Sequence, residues 1–111
     1  MKIKTILIIL AGLLIGCSDF NTEPVITSLT ADNTTVSPGG TVLLTCNAED
    51  DNDDSLTYNW ECTIGSLVSN GSTATWTAPD SPGTYSIFCA VTDGNDGSTM
   101  EIIDITVLTI L

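Results

Sequence analysis

Apolar residues in this chain recur at every second position, and that spacing restricts it to strands. In "TVLLTCNA" the set Val42, Leu44, Cys46 and Ala48 faces one way. "LTYNWEC" does the same with Leu56, Tyr58, Trp60 and Cys62, and "TATWTA" with Ala74, Trp76 and Ala78, threonines opposite. "TYSIFCAVTD" sets Tyr85, Ile87, Cys89 and Val91 on one side. "VITSLTAD" reads as the opening strand and "EIIDITVLTIL" as the closing one. Between them, "NTTVSPGGT", "EDDNDDS", "PDSPG" and "DGNDG" carry turn chemistry, and "IGSLVSNGS" turns the chain back. No stretch after residue 17 shows the three-and-four spacing of a helix. About seven short strands with turns between them predict an all-β antiparallel sandwich, present in one copy.

The first 16 residues are of another kind. Lys2 and Lys4 precede the uncharged run "TILIILAGLLIG", about 12 residues long. A membrane-spanning helix needs roughly 20, so the layout is that of an export signal. The run ends on Leu14-Ile15-Gly16-Cys17, which resembles the lipobox of bacterial lipoproteins, with Ile15 where that family more often has Ala or Ser. The resemblance implies cleavage before Cys17 and acylation of its thiol. Residues 1–16 are then a cleaved signal, 17–23 an acylated cysteine with a polar tether, and 24–111 the domain. The implied location is extracytoplasmic, on a bacterial cell envelope, at the outer membrane in a Gram-negative cell.

Loss of the signal removes both basic residues, because Lys2 and Lys4 are the only Lys or Arg in the chain and there is no His. All 14 Asp and Glu residues follow Cys17. The mature chain therefore has no imidazole for general base work, no amine for a Schiff base and no guanidinium to clamp an anion. Its many serines and threonines lack an activating base, so no enzyme is expected. Nucleic acid is excluded as a partner, since its binding rests on Lys and Arg at phosphates. Contact with the membrane is expected only through the lipid.

From Ala48 to Trp60 the run "AEDDNDDSLTYNW" resembles the A-x-D-x-D-G-D-x-L-x-Y-x-W stretch of bacterial PKD-like and immunoglobulin-like domains. "WTAP" at Trp76–Pro79, "PGTY" at Pro82–Tyr85 and "VTDG" at Val91–Gly94 match the same domains in the same order. The resemblance spans roughly Pro24 to Val107 and implies an immunoglobulin-like sandwich used as a spacer or binding module. It also implies the Cys…Trp…Cys arrangement, with Cys46 bridged to Cys89 and Trp60 packed on the bridge. The loop closed would be about 44 residues long, which stabilises by roughly 4 kcal/mol in the chain-entropy model. A Cys62–Cys89 bridge between neighbouring strands is the rival. Tyr85 precedes Cys89 by four positions rather than two, a departure from the usual tyrosine corner.

Two regions carry binding chemistry. Asp50, Asn52 and Asp54 alternate as in a calcium loop, but Ser55 replaces the glycine of an EF-hand and Glu61 lies beyond a strand. A looser calcium site remains, because in a sandwich Asp93 and Asp96 belong to a loop at the same end. On the opposite parity to Cys89, Phe88 is expected to point outward and to join Met100 and Ile102 in an apolar patch for a partner. The expected function is a lipid-anchored, non-enzymatic envelope module for protein interaction, adhesion or spacing, its partner an envelope protein or polysaccharide. The alternative is a small ligand-, calcium- or carbohydrate-binding module built on the acidic end; no other cofactor is expected.

Overall fold

The computed structural model describes residues 21–109, so the segment expected to be an export signal and Cys17 lie outside the described residues. Eight strands form: β1 (Val25–Ala31), β2 (Thr35–Val36), β3 (Thr41–Glu49), β4 (Thr57–Cys62), β5 (Ser66–Asn70), β6 (Thr73–Thr77), β7 (Gly83–Thr92) and β8 (Ser98–Val107). They make two four-stranded sheets, ordered β1-β3-β6-β5 and β2-β8-β7-β4. All pairings are antiparallel except β2 with β8. Among the described residues there is no helix, and the all-β sandwich is as expected.

Alternation governs burial within the strands. In β3, Val42, Leu44 and Cys46 are buried while Thr41, Leu43 and Asn47 are exposed. In β7, Ile87, Cys89 and Val91 are buried. The opening strand departs from strict alternation, since Ile26 and Leu29 both pack inward although they are three apart. A bulge between Ile26 and Ser28 restores the parity. The extra residue, Thr27, turns its hydroxyl to the Asn47 carbonyl at 3.1 Å.

Two boundaries differ from the sequence reading. The stretch read as a turn around Pro38 contains β2, which the β8 edge recruits at Thr106 and Val107. Two residues are too few for a visible alternation. The last strand begins at Ser98, three residues early, because Ser98–Met100 find partners in Thr92–Ala90.

The core has two parts. Trp76 is fully buried at the centre of the larger one, with Val42, Leu44, Ile87, Ile105 and Val107 around it. Its indole N–H donates to the Ile64 carbonyl at 3.0 Å. The smaller part consists of Cys46, Cys89 and Val91, flanked by Ile26, Leu29, Leu56, Tyr58 and Trp60. Trp60 touches both parts and is only half-buried, so the central tryptophan is Trp76. Tyr85 donates its hydroxyl to the Ser81 carbonyl at 2.7 Å, an upstream anchor that does the work of a tyrosine corner despite the shifted spacing.

Candidate functional site

Register decides which loops meet. Val25 lies opposite Glu49, and Thr57 opposite Thr92. The start of β1, the β3–β4 loop and the β7–β8 turn therefore share one end of the sandwich. There Asp50, Asp54 and Asp93 converge, each offering a carboxylate oxygen within 4.8 Å of the others.

Asp93 is the fixed point, only 3% exposed. The β7–β8 turn wraps its carboxylate: Oδ1 accepts from the backbone N–H of Asn95 at 2.7 Å and of Gly97 at 2.9 Å. Oδ2 accepts from the Asn21 side-chain amide at 2.7 Å. Burial pushes its pKa up, but the donors outweigh burial and hold it below the ordinary carboxylate range. Gly97 has to be glycine, because a Cβ there would run into that carboxylate.

Asp50 organises the other loop. Its Oδ1 accepts from Asn52 N–H at 2.8 Å and its carbonyl accepts from Asp53 N–H at 3.0 Å. Asp53 takes a left-handed φ of 58°, tolerable for an aspartate. The remaining oxygens, Oδ2 of Asp50 and of Asp54, are closed off from solvent and have no hydrogen-bond partner. A buried carboxylate oxygen without a donor is costly, and no Lys, Arg or His stands among the described residues to offset it. Hard oxygens at this spacing fit a hard divalent cation.

Asp96 is not among the converging carboxylates. The Asn52 side-chain oxygen accepts from both the N–H and the hydroxyl of Thr22, each at 2.8 Å. Asp96 is exposed, with φ at 70°, at the tip of its turn. Asn21 and Thr22 belong to a stretch without periodicity, and no local signal in the sequence marks them as contacts.

Cys46 and Cys89 face each other from opposite sheets just beneath this end. Both are buried free thiols linked by a hydrogen bond, so the expected bridge is not formed in the structure. Burial pushes both pKa values up, that of Cys89 to about 12. The rival pairing has no such geometry, since Cys62 lies opposite Ile87 while Cys89 lies opposite Trp60. Cys62 turns its thiol to the Gly65 carbonyl at 3.7 Å.

The apolar residues expected to point outward do share one face. Phe88 lies opposite Ile102 and Ala90 opposite Met100, on the outer side of β7 and β8. Met100 is 53% and Ile102 51% exposed, while Phe88 is half-buried. Glu61 stands beside Phe88 on β4.

No protein-family model matches the chain, and no curated protein matches it. Solved structures do. The chain is similar to the PKD domain of an M14-like peptidase from Thermoplasmatales archaeon SCGC AB-540-F20, with a TM-score of 0.65 and 22% identity over 81% of this chain and 100% of that one. It is also similar to a nucleoside hydrolase-related hypothetical protein from Saccharophagus degradans that is associated with carbohydrate metabolism. There the TM-score is 0.56 and identity 22% over 83% of this chain, which spans 26% of that protein. At such identity the likeness is one of fold: the domain is a PKD-like, immunoglobulin-like sandwich.

Proposed function

We propose that this chain is a non-enzymatic interaction module of a bacterial cell envelope, held to the membrane by an acylated Cys17. The observation that carries an interaction role is the pair Ile102 and Met100, exposed on the outer sheet face beside the half-buried Phe88. An immunoglobulin-like sandwich offers such faces on a rigid frame, and the partner is an envelope protein or polysaccharide. Anchoring rests on the Leu14–Cys17 tetrapeptide. In the oxidising compartment this implies, Cys46 and Cys89 join as a disulfide, their side chains already meeting across the sheets. Replacing Cys17 by Ser should leave the precursor uncleaved and unacylated. A wild-type N-terminus elsewhere by mass spectrometry, with Cys17 unmodified, overturns the anchor. Ile102→Thr with Met100→Thr, which keep strand-forming residues and add no charge, should abolish cross-linking to the envelope partner without lowering the melting temperature.

A second reading is favoured by the unpartnered Oδ2 atoms of Asp50 and Asp54 beside Asp93: the acidic end holds Ca²⁺. Ca²⁺ accepts six to eight oxygens in flexible geometry, whereas Mg²⁺ demands a tight octahedron. At 100 times its Kd, Ca²⁺ would stabilise the domain by about 2.7 kcal/mol. Melting curves at constant ionic strength should separate Ca²⁺ from Mg²⁺ in the wild type and not in Asp50→Asn/Asp54→Asn. Equal action of the two ions on the wild type removes this reading.

A further inference from the structure

Of the four strands that edge the two sheets, three are closed to further pairing. β1 is kinked by the bulge at Thr27, β2 has only two residues, and β4 carries Glu61. β5 has none of these guards. It is the outer strand of its sheet, and no charged residue or proline lies between Glu61 and Pro79. Val68, at the middle of the strand, is 74% exposed. On the outer sheet face it continues across Thr75 to Leu43, which is also exposed and uncharged. A chain with 14 acidic residues and no basic one after Cys17 can meet its own kind only where carboxylates are absent, because like charges set face to face repel.

The hairpin decides which backbone groups are free. Gly71 and Ser72 are a two-residue loop between β5 and β6, which makes Asn70 and Thr73 a hydrogen-bonded pair. Bonded and non-bonded pairs alternate from there, so Ser66, Val68 and Asn70 are tied to β6. Leu67 and Ser69 turn their N–H and C=O groups to the open edge. We infer that β5 is a dimerisation edge: two copies of this chain pair β5 with β5, antiparallel, about a twofold axis at Val68. Leu67 then faces Ser69 of the second copy, and each such pair exchanges both N–H···O=C bonds. Val68 meets its own image in the closer, non-bonded type of pair, and Ser66 faces Asn70. A second copy fits this edge better than an unrelated strand, because the most exposed apolar side chain of β5 is also its midpoint. The inference is independent of the partner face proposed above, since Ile102 and Met100 lie on the other sheet and stay free in both copies. The axis stands normal to the sheet, so two copies anchored in one bilayer pair lying flat, their tethers at opposite ends.

The experiment is sedimentation velocity of the purified full-length protein in detergent, with micelles in excess so that chains do not share one by chance. The wild type should sediment as a concentration-dependent dimer that tightens as NaCl is raised, since salt screens the repulsion between two acidic bodies. Ser69→Pro removes an N–H that β6 does not use. It should abolish the dimer and leave the near-UV circular dichroism of the fold unchanged. Val68→Lys, which sets two like charges at the axis, should do the same. Disulfide capture in a Cys62→Ser background reads the register: Val68→Cys should link to itself, whereas Ser66→Cys and Asn70→Cys should link only when mixed. A wild type that stays monomeric at every concentration and salt level overturns the inference. So does a dimer that survives Ser69→Pro and is not captured by Val68→Cys, which puts the contact elsewhere. Capture of Val68→Cys by an envelope protein, with the wild type monomeric, gives the edge to a partner's strand and likewise overturns the dimer.

Discussion

Cys89 shows how one buried group ties stability to both pH and redox state. Its thiol is sealed between the sheets and hydrogen-bonded to Cys46, and burial pushes its pKa to about 12 from an ordinary 9.0. The folded reduced protein therefore keeps a proton that the unfolded chain releases. That stabilisation is complete below about pH 9 and is lost as pH climbs from 9.0 to about 12. The bridged protein has no such proton. Denaturant titrations of the two forms should show a gap that widens in favour of the bridged form as pH rises through this window. A gap independent of pH would mean that Cys89 is not the buried acid described here. Non-reducing peptide maps, cut at acidic or aromatic residues because no Lys or Arg follows Lys4, should link Cys46 to Cys89 and leave Cys62 free.

At the scale of elements, the turn between β4 and β5 is the most constrained connection. Gly65 has φ +94°, and a Cβ placed there would lie 2.5 Å from the Trp76 indole nitrogen and 2.6 Å from the Thr77 carbonyl. Neither neighbour can retreat, since Trp76 is wholly buried and Thr77 is paired with Ser66 and Thr41. Gly65→Ala should cost about 2 kcal/mol or more, read as a lower denaturation midpoint with unchanged slope. No such loss should accompany Gly71→Ala, where the added Cβ meets nothing within 4 Å and only the left-handed backbone is penalised. The two ends of the sandwich also differ. The larger core, around Trp76, lies away from the tether, whereas the part beneath the acidic loops has three fully buried residues, two of them thiols. The bridge and the cation would thus act on the half that has least apolar burial.

For the molecule as a whole, charge dominates. After Cys17 the chain has 14 Asp and Glu residues and no Lys, Arg or His, so self-repulsion opposes the compact state and ions relieve it. Raising NaCl from about 0.02 M to about 0.5 M shortens the screening length several-fold. It should raise the melting temperature, by about 4–8 °C for each kcal/mol of repulsion removed. A temperature that stays flat across that range would show that the carboxylates are too far apart, or already neutralised, to matter.

The same scales separate what was legible in the chain from what was not. Alternation exposed β3, β4, β6 and β7, because the side-chain period of a strand is local and survives in the sequence. It also set the parity of Cys46, Cys89, Phe88 and Ile102. The bulge at Thr27 and the two-residue β2 were hidden, since each exists only because a partner strand supplies hydrogen bonds. For the acidic end, the order of strands in a sandwich was enough to bring Asp93 towards Asp50 and Asp54. It was not enough to separate Asp96 from them, because a turn's backbone angles decide where each side chain points. Nor did anything mark Asn21 and Thr22, whose bonds reach residues 30 to 74 positions away. Composition and periodicity by themselves determined an acidic, all-β sandwich with buried cysteines, since both are properties of the chain's own residues. Which carboxylates share one space, and that Asn21 and Thr22 bond to the loops that carry them, is decided only by the tertiary fold, which alone sets distances between residues remote in sequence.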